Sequence, residues 1–313
     1  MIILRDVTHV HLLLNHVPTV GTVIGLGLFV MAYLRRSEHL RHVSFELLFL
    51  IALASLPAYI SGLVAQGALM QRDDVNLAAI AAHHDRAMVA FIVIELIGFV
   101  SWLALWQYRR RNRTAGWISP AVLILGALTL LLVTSAATVG GEIRHPEIKA
   151  DEAVVASTGF FPASAVADFV TSNPWVWPAC ETVHFIGLSV LFGVLFTINL
   201  RLLGGLRGVS FAALHRLLPW AMLAFGLNLI SGMMFTIAAS DQYIENGPFI
   251  WKIAFLMIAG VNLLYLTVYD KIWELEAGQE APMFDRAVAA SSVAVWIAVI
   301  YAGRMLPFLG NAF

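Results

Sequence analysis

Ten histidines stand in a chain of 313 residues, and six of them gather at the ends of apolar runs in its first half. His9, His11 and His16 open the first run in HVHLLLNHVPT, His83 and His84 open the third in AHHD, and His145 follows the fourth in GGEIRH. Imidazole inside a membrane is costly unless something binds it, and it is a strong axial ligand for haem iron. The chemistry this pattern fits is bis-histidine haem b, with ligands from facing helices and the porphyrin packed against Leu, Val and Phe. At about 100° per residue, His9 and His16 share a helix face, whereas His11 and His16 point about 140° apart. They do not converge on one small metal ion, but two separately aimed ligands do not need to. The spacing favours His16 with His83, both about one to two turns inside the membrane boundary. His11 with His145 would hold a second haem nearer the surface. Arg86, Arg144 and the hydroxyls of Thr19, Thr22 and Thr138 are the groups to anchor propionates. Gly140 and Gly141, in TSAATVGGEIRH, would let a flat macrocycle or another helix approach the backbone closely.

The remaining histidines read as polar groups at headgroup level. His9 and His84 stand beside the candidate ligands, His39 and His42 belong to a basic loop, and His215 adjoins Arg216. Glu95 lies mid-run in FIVIELIGF, where a carboxylate is expensive and therefore a functional candidate, either carrying protons to a quinone or bonded to a neighbouring helix. In the second half Glu181 and His184 are three apart and share a face. His184 either ligates a cofactor, with a Met such as Met233 or Met234 or a ligand from the first half, or contacts a quinone, or bonds Glu181. Lys252 and Arg201 are expected to snorkel from their helix ends, and Asn228 and Asn262 to join helices by hydrogen bonds. The lone cysteine, Cys180, excludes an internal disulfide and a cysteine-based metal cluster and reads as a core thiol.

These side chains need a membrane scaffold. With 60% hydrophobic and 12% charged residues, the chain is composed as a polytopic membrane protein. Its net charge of −1 argues against nucleic acid as a partner. Eight runs are long enough to cross about 30 Å of hydrocarbon: 10–34, 44–66, 78–106, 118–141, 176–200, 217–239, 249–269 and 287–308. The first is expected to stay as helix 1, because it lacks the basic start and the small-residue cleavage site of a signal peptide. Twelve of nineteen Lys and Arg fall in the loops after helices 1, 3, 5 and 7, so that face is predicted to be cytoplasmic and both termini outside. Trp175, Trp177 and Trp251 fit an outer aromatic belt, and Trp106, Trp117 and Trp273 an inner one. The fold class is therefore all-α, with eight transmembrane helices as two four-helix bundles. The bundles are expected over 1–146 and 175–313. A connecting segment, 147–174, is expected to include an amphipathic stretch on the outer surface. No residue-level repeat is apparent between the halves.

HLLLNHVPTVGTVIGLGLF, AHHD and GGEIRHPEI resemble a family of bacterial membrane proteins whose first helix carries a His-Phe-Pro motif, here His16-Val17-Pro18. NPWVWPACETVHFIGLSVLFG and the runs that follow it are similar to a second such family. Together the two resemblances cover nearly the whole chain. Proteins of this kind are encoded beside periplasmic c-type cytochromes and dehydrogenases and resemble the membrane subunits of carbon monoxide dehydrogenase clusters. The resemblance implies a redox membrane subunit and brings forward His11, His16, His83 and His145 as the shared positions. The chain departs from the second family after Asn262, where LLYLTVYD replaces a histidine.

The reading is a b-type cytochrome subunit of the bacterial inner membrane, holding one haem or two. It would pass electrons between a periplasmic cytochrome or dehydrogenase and the quinone pool within a hetero-oligomeric complex, with a quinone near His184 and Glu95. An electron-transfer subunit of this kind need not itself be an enzyme. The alternatives are a histidine-based copper, zinc or small-solute transporter, and a cofactor-free anchor for a periplasmic enzyme. A transport path would also need polar groups through the inner half, where helices 1 to 4 offer little beyond Glu95 and Glu46.

Overall fold

The computed structural model describes residues 7–72, 75–144, 161–268 and 271–309, and among them every regular element is helical. Eight helical spans are long and apolar enough to cross a membrane. They run Thr8–Leu34, Glu38–Leu69, Leu77–Arg111, Ile118–Ile143, Val176–Leu202, Phe211–Ala238, Gly247–Val268 and Met283–Arg304. The protein is thus an all-α, multi-pass membrane protein. Only closed backbone hydrogen bonding of this kind is stable in hydrocarbon.

The chain forms two compact units, Met1–Ala165 and Val166–Phe313. In the first, the opening span comprises α1 (Val7–Leu14) and α2 (His16–Leu34), with Asn15 between them in right-handed helical conformation so that one continuous span results. Three further helices follow, α3 (Glu38–Leu69), α4 (Leu77–Arg111) and α5 (Ile118–Arg144). The helices begin where side chains replace missing backbone partners. Ser37 Oγ accepts from the Leu40 amide, and Asn76 Oδ1 from the amides of Ala78 and Ala79. α4 ends on Asn112 in the left-handed conformation, at φ 53°.

Small residues let these helices close into a ring of contacts, α2 on α3, α3 on α4, α4 on α5 and α5 on α2, with α1 laid on α3. Gly98 brings α4 onto Ala52 of α3, and any side chain there would collide with Ala52 Cβ. Ile51, Ala52, Ala90, Ile94 and Val133 form the buried apolar layer where α3, α4 and α5 meet. A smaller cluster of Ala79, Ala82 and Val139 closes the histidine end of α4 and α5.

A short helix, α6 (Ala163–Ser172), begins the described chain again after residue 144. Its start is held to α4 by the Ala163 amide, which donates to Asp85 Oδ1 at 2.8 Å. The second unit then has four long helices: α7 (Val176–Leu202), α9 (Leu218–Ala238), α11 (Gly247–Val268) and α12 (Met283–Arg304). The short helices α8 (Phe211–His215), α10 (Ser240–Ile244) and α13 (Leu306–Leu309) lie between or after them. α7 packs on α9 and α12, and α11 on α12.

Two expectations for this unit change. Arg201 does not snorkel: it is buried, donating to the carbonyls of Val209 at 2.8 Å and Gln279 at 2.9 Å, with its guanidinium 4.3 Å from the Phe211 ring centre. Its planar fork satisfies loop carbonyls that would otherwise be unpaired, which repays the cost of burying the charge. His215 does not stand exposed either. It is buried with its ring edge-on to Trp273, whose indole is itself enclosed instead of forming a belt.

Candidate functional site

The first unit encloses a cavity of about 780 Å³ between α1, α2, α3, α4 and α5. That is within the roughly 300–1,000 Å³ of small-molecule and cofactor sites. Four of the histidines line it: His11, His16, His83 and His84. The rest of the lining is mostly Ala, Gly, Leu, Ile and Phe, the apolar surface a flat hydrophobic ring requires.

Two of the four rings are fixed from opposite walls. His11 Nδ1 donates to the Ala58 carbonyl on α3 at 3.0 Å, with Ser61 Oγ at 3.3 Å. His83 Nδ1 donates to the Ala136 carbonyl on α5 at 2.8 Å. A carbonyl can only accept, so Nδ1 carries the hydrogen in each ring and Nε2 keeps a bare lone pair. Anchoring one ring nitrogen on a carbonyl while the other faces the site is how metal-binding imidazoles are held.

Each ring also lies in a place that only glycine leaves open. A Cβ on Gly62 would stand 2.9 Å from His11 Cε1, and one on Gly140 would stand 2.8 Å from His83 Cε1. Gly62 and Gly140 each follow their anchoring carbonyl by four residues, so carbonyl and glycine lie one above the other on the helix face.

With both rings so placed, their centres are 6.4 Å apart and their planes cross at 76°. Two imidazoles bound through Nε2 to opposite sides of one metal ion, at a metal–nitrogen bond of about 2.0 Å, have ring centres about 6.3 Å apart. The observed separation leaves room for one such ion.

This is not the pairing favoured by spacing. His11 takes the place expected of His16: the chain stays helical through Asn15, and His11 is the residue whose ring bonds α3 and faces His83. His16 lines the same cavity but is more exposed, and its Nδ1 bonds Leu12 in its own chain segment at 2.7 Å. His145, the expected partner of His11, lies outside the described residues, as does the Arg144 side chain. Arg86 is buried and is not among the residues lining the cavity, whereas Arg72 is. Thr19 lines the cavity with its hydroxyl donating to the Asn15 carbonyl at 2.8 Å. Thr22 and Thr138 are bonded to carbonyls of their own helices.

His84 was expected at the headgroup level and instead faces inward, with Nε2 3.0 Å from the Tyr59 hydroxyl. Tyr59 is buried and stacks on Phe91. A single tyrosine inside an apolar run carries no spacing signal, so this pair was not legible in advance. Glu95 reaches the cavity through Ser55, whose Oγ is 2.9 Å from Glu95 Oε1 and which lines the cavity wall.

No family model matches the chain, and neither does a curated protein or a solved structure. Chemistry must therefore be argued from the site itself. Among the described residues no three His, Cys, Asp or Glu side chains converge on one point. Of these ligand types, His11 and His83 thus supply two imidazole donors and no third ligand joins them. A porphyrin supplies four equatorial nitrogens of its own. The donor set, the glycine cradles and the apolar lining fit that group.

In the second unit Glu181 and His184 do not bond each other. His184 Nδ1 is 2.9 Å from Ser231 Oγ, and Glu181 lies near Tyr243, whose hydroxyl is pushed up by burial and then by that carboxylate. Met234 takes the Cys180 thiol at 3.7 Å. Asn228 does not bridge helices as expected. Both its side-chain polar atoms are buried without a partner, and they would stand 3.1 Å from a Cβ on Gly187. Asn262 reaches Ser291 only at 3.5 Å.

Proposed function

We propose that the protein is a b-type cytochrome membrane subunit whose haem is held between His11 and His83. The observation that carries this reading is the pair itself: two imidazoles anchored through Nδ1 on facing helices, 6.4 Å apart and crossed at 76°. The haem would supply a one-electron store, the ferric and ferrous states of its iron. The protein's own residues hold and tune it. Ala58 and Ala136 fix the tautomers, Gly62 and Gly140 make space for the rings, and the apolar wall keeps water from the iron. Arg72 and the side-chain amide of Asn15, both at the cavity, are the donors that would meet propionates. Ser55 and Glu95 form a polar contact at the cavity wall suited to holding a proton.

In this reading the subunit lies in the bacterial cytoplasmic membrane with both termini outside. It exchanges electrons between a periplasmic cytochrome or dehydrogenase and the quinone pool, within a larger complex. The charge bias of the loops supports that orientation, and the gathering of the histidines at one end supports a redox partner on the outer side. A copper or zinc capture site is less well supported, because two histidines with no third His, Cys, Asp or Glu ligand among the described residues suit neither ion's usual coordination.

The test is a pyridine haemochrome assay on the purified full-length protein with oxidised and dithionite-reduced spectra. One haem b per chain with a reduced α-band supports the reading. A haem-free protein that folds and is stable overturns it.

A further inference from the structure

The construction around His11 recurs in the second unit. His184 lies on the first long helix of its unit, as His11 lies on the first span of its own. Its Nδ1 is 2.9 Å from Ser231 Oγ on the second long helix. The Ser231 hydroxyl gives its own hydrogen to the Leu227 carbonyl at 2.7 Å, so toward the imidazole it accepts. Nδ1 of His184 therefore carries the hydrogen and Nε2 is bare. The Asn228 carbonyl faces the same ring, and a Cβ on Gly232 would meet His184 Cε1 at 3.6 Å.

Carbonyl, serine and glycine thus follow in the same order beneath both rings. They are Ala58, Ser61 and Gly62 in AYISG under His11, and Asn228, Ser231 and Gly232 in NLISG under His184. Residues at i, i+3 and i+4 share a helix face, so the spacing alone makes one continuous cradle. The halves, which show no overall repeat, share this one.

The correspondence extends to the opposite wall. In the first unit the third long helix sets His83 on Gly140, near the end of the fourth. In the second unit the third long helix, α11, sets Lys252 against Gly303, near the end of α12, with Nζ 3.6 Å from the place of a Cβ. Lys252 therefore occupies the position of His83, and it lies close enough to His184 for their charges to interact. A lysine inside a membrane span is a functional candidate by default.

The exchange of His for Lys changes what the site can hold. Two bare imidazole nitrogens suit a metal ion. One bare nitrogen and one ammonium suit a group that donates a hydrogen bond at one end and accepts at the other. The surroundings suit a flat ring: Phe235 stands edge-on to His184 at 6.0 Å, with Trp177 4.8 Å from Phe235.

We propose that the second unit binds the headgroup of a quinone, with His184 Nε2 accepting from the hydroxyl of the quinol form and Lys252 Nζ donating to an oxygen across the ring. Its physiological sense rests on the redox reading above, but its test does not.

The probe is decylubiquinol, kept reduced under anaerobic conditions and titrated into the purified full-length protein in lipid nanodiscs, with haem content measured on the same samples. Saturable binding is expected, weakened at least tenfold by His184→Leu and by Lys252→Met. Lys252→Arg should retain most of it, and Ser231→Ala, which only releases the ring, should weaken it severalfold. Haem content should be unchanged in all four. Binding that is unaffected by both His184→Leu and Lys252→Met, in variants that elute as the wild type does, overturns the proposal. So does a second haem per chain that is lost in His184→Leu, since His184 would then be an iron ligand. Variant-sensitive quinol binding in a protein without haem would overturn the His11–His83 reading and leave this one standing.

Discussion

Gly140 and Gly141 are neighbours in one helix, and the haem reading assigns them opposite sensitivities. A Cβ added to Gly140 would stand 2.8 Å from Cε1 and 2.9 Å from Nδ1 of His83, whereas one added to Gly141 meets nothing within 4 Å. To reach ordinary contact at 3.4 Å, the His83 ring must retreat by about 0.6 Å or give up its bond to Ala136. Metal–nitrogen bonds tolerate only about 0.2 Å of error, so a shift of that size removes one axial ligand or lengthens it beyond bonding. Losing the support of a ligating imidazole typically costs about 10–100-fold in affinity, and Gly140→Ala should weaken haem retention by that order. Helix stability does not confound the comparison, because alanine is the better helix former by about 1 kcal/mol at either position. Haem per chain after purification, and the low-spin ferric spectrum, are the measurements. Gly140→Ala should lose haem or its low-spin character, and Gly141→Ala should match the wild type. If the two variants are indistinguishable, the cradle argument is wrong.

Further outcomes follow from the same geometry. His11→Ala and His83→Ala should each abolish low-spin haem, while His16→Ala should retain it, read in the oxidised and reduced spectra. In the second unit Arg201→Ala leaves the Val209 and Gln279 carbonyls without their donor. It should destabilise that unit by roughly 2–4 kcal/mol, seen as a lowered Tm in detergent. Glu280 is held below the usual carboxylate range by its hydrogen bond to Arg286, then by the charges of Arg286 and Arg207. Any stability it adds is present at neutral pH and lost as pH falls through its lowered pKa. Glu280→Gln should therefore flatten the acid side of the Tm-against-pH curve and leave the alkaline side alone.

The scaffold was legible because hydrocarbon enforces it: apolar runs of spanning length show in composition whatever they pack against. The gathering of histidines in the first half was legible for the same reason, since each is conspicuous in such a run. Their pairing was not. Spacing treats residues 10–34 as one straight helix, and on that assumption His16 aims inward. Spacing does not fix how that span is rotated about its axis, and it is the His11 ring, not His16, that faces His83. Arg201 and His215 were misjudged because their partners are loop carbonyls and Trp273, contacts that helix periodicity cannot anticipate. The serine–glycine cradle was present in AYISG and NLISG all along. A three-residue identity between halves has little weight until both copies are seen under a histidine.

The central claim is that His11 and His83 are the two axial ligands of one haem, with ring planes crossed at 76°. Low-temperature electron paramagnetic resonance of the oxidised, purified protein tests both parts at once. Nearly perpendicular imidazoles predict a highly anisotropic low-spin ferric signal that disappears in His11→Ala and in His83→Ala. A rhombic signal from near-parallel rings, one that survives either substitution, or no low-spin iron at all would contradict the account.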